Sequence, residues 1–333
     1  MRILAIESSC DDTAAAVLDG TVLRSSVVAS QDEIHHRYGG VVPELASRSH
    51  IRAIVPVIRK ALDAAEIDLD AIDAVAATCG PGLVGSLLVG LSAAKAIAMA
   101  RHLPFIGINH HEGHLLSIRL EQAVEFPFLA LLVSGGDTSL YVARDVGRYE
   151  LLGTTRDDAA GEAFDKAAKI LGLGYPGGRV IDRLSADGDR EAVHFPRARM
   201  KPGKNGRRFD FSFSGLKTAL WQFVEERGAE GIKLPDIAAS YQEAIVEMLL
   251  DNAFAAADHT GCTRLVLAGG VSANSRLRTR AAELARQAGV ETFVPALRFC
   301  TDNAAMIALA ARERLARGES SPLSLNADAA LEL

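Results

Sequence analysis

The chain has 333 residues, 49% of them hydrophobic and 23% charged, the composition of a folded globular protein rather than a disordered one. Its net charge of −6 and pI near 5.9 argue against a dedicated nucleic-acid binder, though not against a local basic patch. The length favours two domains over a single hydrophobic core.

The chain opens with MRILAIESS, a strand pattern without the charged and apolar regions of a signal peptide. From Ile3, ILAIESSCDDTAAAVLDG reads as an apolar strand, a small-residue turn and an alternating strand, and TVLRSSVVAS supplies a further strand. HHRYGGVVPELASRSHIRAIVPVIRKAL follows as a helix-rich packing surface with several basic residues. Next, AVAATCGPGLVGSLLVGLSAAKAIA is a strand, a glycine turn and a helix. Its most apolar part, residues 84 to 100, holds Lys95 and many small residues, so it reads as a buried helix and not a membrane span. Cys10, Cys79, Cys262 and Cys300 lie far apart with no CxxC pair. They form neither a disulfide framework nor a cysteine-zinc site, and they suit a reducing cytoplasm.

NHHEGHLL then places His110 and His114 four apart, on one face of a helix. That is how a helix presents two imidazoles to one metal ion. A zincin carries its glutamate directly after the first histidine, as general base. Here Glu112 stands at i+2, roughly 200° around the helix from His110, so the protease geometry fails. A metal site without that base needs a third ligand, and the spacing alone equally fits two packing or surface histidines. Asp302, in FCTDNAAM, is a plausible third ligand that stands where a helix N-cap would also stand.

The second half repeats the first. FLALLVSGGDTSLYVARD, from Phe128, aligns with the opening segment so that Asp137-Thr138 falls on Asp12-Thr13 without a gap, and YELLGTT supplies the further strand. RLVLAGGVSANSRLRTRAAELA echoes the earlier strand, glycine turn and helix, with Gly269 near the place of Gly80. The second copy carries extra residues between about 153 and 260. This order of elements implies two duplicated α/β lobes with a cleft between similar halves. The expected division is 1–108 plus about 296–333 for the first lobe and 109–295 for the second. VSGGDTS and LAGGVSAN are candidate nucleotide-cradling turns, since glycines let backbone N–H groups approach phosphate closely. Neither a P-loop nor a GxGxxG turn is present. Within the insertion, RARMKPGKNGRRFDFSFSGLK is rich in basic residues, Lys204, Arg207 and Arg208 among them, and is where an RNA backbone would be welcome. Phe209, Phe211 and Phe213 alternate with polar residues there, as a strand with a buried aromatic face does.

Taken in order, IESSCDDTAAAV, GGVVPELASRSH, GPGLVGSLLVGLSAAK, NHHEGHL, LVSGGDTSL, GEAFDKAAKILGLGYPGG, FSFSGLKTA, LAGGVSANSRLR and FCTDNAAMIA resemble the motifs of the TsaD family over nearly the whole chain. These are the tRNA N6-adenosine threonylcarbamoyltransferases, once described as O-sialoglycoprotein endopeptidases. The resemblance implies an actin-like ATPase (ASKHA) fold of two ribonuclease-H-like lobes with a central nucleotide cleft. It implies transfer of a threonylcarbamoyl group from threonylcarbamoyl-AMP to N6 of the adenosine beside the anticodon, in tRNAs reading codons that begin with A. It matches His110, His114 and Asp302 to the family's metal ligands, with Fe(2+) the usual ion and zinc or magnesium as alternatives. Leu132, Val133, Ser134, Gly135 and Gly136 match the segment that takes the adenylate and its phosphate, where ATP or ADP also fits. Asp165, Gly178 and Asn274 match nucleotide-binding positions, with Asp182 as a companion on the ribose. Asp11 matches an acid near the reacting phosphate, though an aspartate there also suits a turn. The implied partners are tRNA, a TsaB-like paralogue and a TsaE-like ATPase, with no membrane and a cytoplasmic setting.

Two positions depart from the family pattern. Asp12 stands where glutamate is usual, which shortens the carboxylate's reach. Asp137 follows SGG where histidine or asparagine is expected, and a negative charge there would oppose a phosphate unless it faces elsewhere. A sugar or acetate kinase of the same fold class and a non-catalytic ATP-binding scaffold are the competing readings; bound transition metal separates the kinase from the transferase, and nucleotide binding without turnover of the adenylate would mark the scaffold.

Overall fold

Strands whose residues are apolar on both faces must be covered on both faces, and ILAI and FLALLV both have that character. The computed structural model describes residues 1–202, 207–227 and 233–333. In chain order the first elements are β1 (Arg2–Glu7), β2 (Asp12–Asp19), β3 (Val22–Ser30), α1 (Asp32–His36), α2 (Pro43–Ala64), β4 (Ala74–Gly80), α3 (Val84–Arg101), β5 (Phe105–Asn109) and α4 (His110–Leu116). There follow β6 (Phe128–Val133), β7 (Thr138–Asp145), β8 (Arg148–Thr154), α5 (Ala160–Ile170), α6 (Gly177–Ser185), α7 (Ser214–Arg227), α8 (Leu234–Thr260), β9 (Arg264–Ala268), α9 (Ser275–Ala288) and β10 (Glu291–Phe293). The last two are α10 (Leu297–Cys300) and α11 (Ala304–Leu315).

Two units emerge, Met1–Ala123 with Ala296–Leu333, and Val124–Pro295. The first holds a five-stranded sheet in the order β3-β2-β1-β4-β5. The second holds one in the order β10-β9-β6-β7-β8, the same topology read from the other edge. In each, an antiparallel meander of three strands joins two parallel strands. The repeat extends to register, with Glu7 opposite Ala14 at the first hairpin and Val133 opposite Thr138 at its counterpart.

In the first unit α2 and α3 pack on the sheet, and α11 packs against β1 and β2. Helix α3 is the one helix among the described residues long and apolar enough to cross a membrane. Its Leu87, Leu91, Ala94 and Ala98 face is buried in the core with Leu4, Val75 and Ala77. The first unit runs on past residue 108, where the sequence repeat suggests a division, to Ala123. The reason is that α4 and the turn after it pack on α11 of the same unit. Gly113 permits this close approach, because a Cβ there would lie 2.9 Å from Ile307 Cδ1.

In the second unit the residues between β8 and β9 build α5 to α8. Helix α8 is the main core element, burying Ile237, Tyr241, Ile245, Leu249 and Ala253 along its length. Phe209, Phe211 and Phe213 are all buried in that core. Instead of a full strand they form a single bridge from Phe211 to Thr155, since Asp210 is drawn in to accept from Arg156 and the Thr154 amide.

Candidate metal centre and nucleotide-binding turns

Helix α4 begins directly after β5, so the sheet determines where its first turn lies. Asn109 caps it, its Oδ1 accepting from the amides of His111 and Glu112. The Asn109 Nδ2 donates to the carbonyls of Leu331 and Glu332, which ties the cap to the last residues of the chain. His110 and His114 then share one helix face, with ring centroids 4.7 Å apart and edge to face. Asp302 comes to them from the turn before α11. Its Oδ1 lies 3.0 Å from His114 Nε2 and 3.4 Å from His110 Nε2. One ligand atom from each residue falls within 4.8 Å of the others.

Asp302 is free for this because it is not the helix cap: the neighbouring Asn303 caps α11, accepting from the Met306 amide. Glu112 points the other way, as its spacing requires. It is fully buried and held at both oxygens by Arg314 of α11, at 2.8 and 3.0 Å. A carboxylate paired bidentately with arginine and turned away from the two histidines is out of place for a protease base.

Burial alone would lower the His110 pKa, but the carboxylates of Asp302 and Glu7 raise it well above the ordinary histidine value. Asp302, which burial would raise, is held far below the usual carboxylate range by the two imidazoles. His114 is lowered, by burial first and then by the charge on His110. Among the described residues no lysine or arginine pairs with Asp302. Two imidazole nitrogens and one carboxylate oxygen converging without a basic partner form a donor set that suits a divalent transition metal.

The hairpin after β1 lies close by. His50 of α2 donates from Nε2 to the Cys10 carbonyl at 2.9 Å, and its Nδ1 lies 2.8 Å from the Thr13 hydroxyl. Burial and the nearby Asp302 raise the Asp11 pKa, against a hydrogen bond to Cys10. Asp12 is pushed up to about 7 by burial, then by Asp302 and Asp11, and its buried Oδ1 has no hydrogen-bond partner. The folded state therefore holds a proton on Asp12 that the unfolded chain releases near its ordinary value of 3.8. Stability from this group is complete below that value and falls as pH rises through about 7. Asp12→Asn is expected to remove the loss. Urea unfolding should find it equal to the parent near pH 4 and more stable by on the order of 2–4 kcal/mol at pH 8. Parallel pH profiles for the two proteins would sink this account.

The other candidate residues all lie in the second unit. In the turn that follows β6, the Ser134 hydroxyl accepts from the amides of Gly136 and Asp137. Gly135 and Gly136 are exposed and have nothing within 4 Å of where a Cβ would stand. Leu132 and Val133 are the buried end of β6 that anchors this turn. Gly269, at φ +83°, sits against it, because a Cβ there would meet the Val133 carbonyl at 2.5 Å. Asp137 turns its carboxylate toward β7, where Oδ1 accepts from the Ser139 hydroxyl at 2.8 Å.

Asp165 of α5 accepts from the Gly177 amide at the start of α6, next to Gly178. Asp182 of α6 accepts from both the amide and the hydroxyl of Ser275, at the start of α9. Asn274 caps α9 through the Leu277 amide and donates to Gln242 at 2.7 Å. Asp165, Gly178, Asp182 and Asn274 thus gather around the first turns of α6 and α9. Nothing in the sequence indicated the hydrogen bonds by which Ser275 and Gln242 hold Asp182 and Asn274. In the basic segment, Arg197 is held by Glu247 at 2.6 Å and Arg208 is exposed, while Lys204 lies outside the described residues.

A family model described as TsaD, tRNA N6-adenosine threonylcarbamoyltransferase, matches residues 22–309. A protein of Anaeromyxobacter sp. (strain Fw109-5) named tRNA N6-adenosine threonylcarbamoyltransferase is 57% identical, covering 100% of this chain and 100% of its own. The chain belongs to this family. TsaD membership agrees with the fold seen in solved structures. Full-length HypF in its phosphate- and nucleotide-bound form aligns with TM-score 0.64 at 16% identity, over 94% of this chain and 46% of that one. The activator of 2-hydroxyisocaproyl-CoA dehydratase from Clostridium difficile with bound ADPNP aligns with TM-score 0.55 at 15% identity, over 97% and 100%. The fold is the actin-like ATPase fold, with two duplicated ribonuclease-H-like lobes.

Proposed function

We infer that this chain transfers the threonylcarbamoyl group of threonylcarbamoyl-AMP to N6 of the adenosine next to the anticodon, in tRNAs reading codons that begin with A. The full-length match to a relative of that named activity carries the reading. The competing peptidase reading is disfavoured, because Glu112 is paired with Arg314 and turned away from the two histidines.

In the reaction the adenosine N6 forms a bond to the carbamoyl carbon, and the bond from that carbon to the phosphate oxygen breaks. AMP leaves, and the amine loses a proton. An aromatic amine is a poor nucleophile, so an activated acyl donor and close positioning must supply the rate. The exposed Gly135-Gly136 turn at the end of β6 is proposed to let the phosphate, which gains charge as AMP departs, approach the backbone closely. Asp165, Gly178, Asp182 and Asn274 are the residues proposed to hold the adenosine portion, and ATP or ADP would use the same places. Asp11, whose raised pKa suits a proton acceptor, is proposed to take the amine proton. His110, His114 and Asp302 would hold a single ion, Fe(2+) by family resemblance, with zinc or magnesium as alternatives. When bound, such an ion supplies Lewis-acid polarisation and an anchor for oxygen groups of the threonyl moiety. tRNA, a TsaB-like paralogue and a TsaE-like ATPase are the partners this reading carries, in the cytoplasm and away from membranes.

The test supplies threonylcarbamoyl-AMP, unmodified tRNA reading codons that begin with A, and the partner proteins, then analyses digested tRNA by mass spectrometry. Threonylcarbamoyladenosine is the expected product, and it should fall sharply with Asp11→Ala. Phosphorylation of a small hydroxylated or carboxylated substrate from ATP would replace this reading with the kinase one.

A further inference from the structure

Glu7 is a fully buried carboxylate at the end of β1, and among the described residues no lysine or arginine pairs with it. Its Oε1 accepts from the Ser9 amide. Its Oε2 accepts from the Thr78 hydroxyl at 2.6 Å and lies 3.0 Å from His110 Nδ1. The parallel pairing of β1 with β4, and of β4 with β5, brings this about. It sets Thr78 beside the end of β1, and it brings α4 out of β5 directly above both.

A buried carboxylate is tolerated only when its lone pairs are occupied by donors. The hydroxyl and the amide account for two of them, and the imidazole, whose Nδ1 also lies 3.1 Å from the Ser9 hydroxyl, is a third donor. An unprotonated Nδ1 at this distance would set lone pair against lone pair, so Nδ1 carries hydrogen and donates. In the neutral ring, Nε2 then presents its lone pair toward Asp302 and His114. His114 has no such support, since its Nδ1 is buried without a hydrogen-bond partner. Its ring is held at Nε2 alone, by Asp302, while that of His110 is held at both nitrogens.

We propose that Glu7 is a positioning residue of the metal centre, holding the His110 ring through Nδ1 so that Nε2 faces the ion. This rests on the metal reading of His110, His114 and Asp302 given above. Thr78 is the brace that holds the carboxylate in turn. Partners of this kind fix the ring and raise its basicity, and their loss typically costs about 10–100-fold in metal affinity. Glu7→Gln keeps the shape but cannot accept from Ser9, Thr78 and His110 together, because one oxygen becomes an NH2 donor.

The test measures cobalt(II) affinity by chelator competition, the visible absorption band of bound cobalt(II), and urea unfolding of the full chain. Glu7→Gln is expected to bind cobalt(II) about 10–100-fold more weakly, with a shifted band. Thr78→Val, a milder change that leaves the carboxylate in place, should shift both in the same direction by less. A merely structural role would lower the urea midpoint while leaving the affinity and the band of the folded protein at parent values. That result in both variants overturns the proposal. Should the parent chain itself take up no cobalt(II), the metal reading fails first and this one falls with it.

Discussion

Asp302→Ala is expected to strip the protein of bound metal and to stop threonylcarbamoyladenosine formation. Its Oδ1 is the atom both imidazoles approach, at 3.0 and 3.4 Å, and it brings the only negative charge among the three donors. Losing a direct ligand should cost more than losing an outer partner, so affinity should fall by at least about 100-fold. The fold should survive, because Asn303 and not Asp302 caps α11. The measurements are metal analysis of protein purified without chelator, urea unfolding, and mass spectrometry of digested tRNA. The same loss of stoichiometric metal is expected of a His110→Ala, His114→Ala double variant. Undiminished metal in that double variant would rule out the site.

The largest expected effect on stability comes from Arg314→Met. It takes the bidentate partner away from the fully buried Glu112 carboxylate. Breaking a buried pair from one side costs about 3 kcal/mol or more, since the remaining charge is uncompensated. For a unit of this size that lowers Tm by roughly 6–12 °C. Replacing both partners, as Glu112→Leu with Arg314→Leu, should recover most of the loss, because the stranded charge is gone. Glu112→Gln should leave threonylcarbamoyl transfer in place, whereas a peptidase would lose its base. A Tm for Arg314→Met within a degree or so of the parent would contradict this account.

Much of the fold is legible in local pattern. Period-two alternation after an apolar run, twice over with Asp12-Thr13 and Asp137-Thr138 in register, announces the duplicated meander. The parallel strands follow from two strand, glycine and helix units at matching places. The histidine pair is legible for the same reason: i and i+4 share a helix face whatever surrounds them. Even the failure of the protease motif could be read from the angle of Glu112.

Asp302 could not be placed that way. It lies far along the chain, on a turn whose position depends on α11 packing against β1 and α4, so its place in the sequence made it a candidate that would equally suit a helix N-cap. The extent of the first unit depends on packing for a related reason. His110 begins a new helix, but the packing of that helix, permitted by Gly113, assigns it to the unit already begun.

The chain's pattern by itself thus determined the two duplicated α/β lobes, the strand hairpin that opens each, and the helix face that carries His110 and His114. These depend on interactions between residues a few positions apart, which sequence periodicity records directly. Tertiary structure alone decided that Asp302 meets the two histidines, that Glu7 and Thr78 stand behind His110, and that Arg314 takes Glu112. Each of those contacts joins residues from different elements. A buried polar group must find its partner wherever packing brings one, and no local pattern in the chain encodes which one that will be.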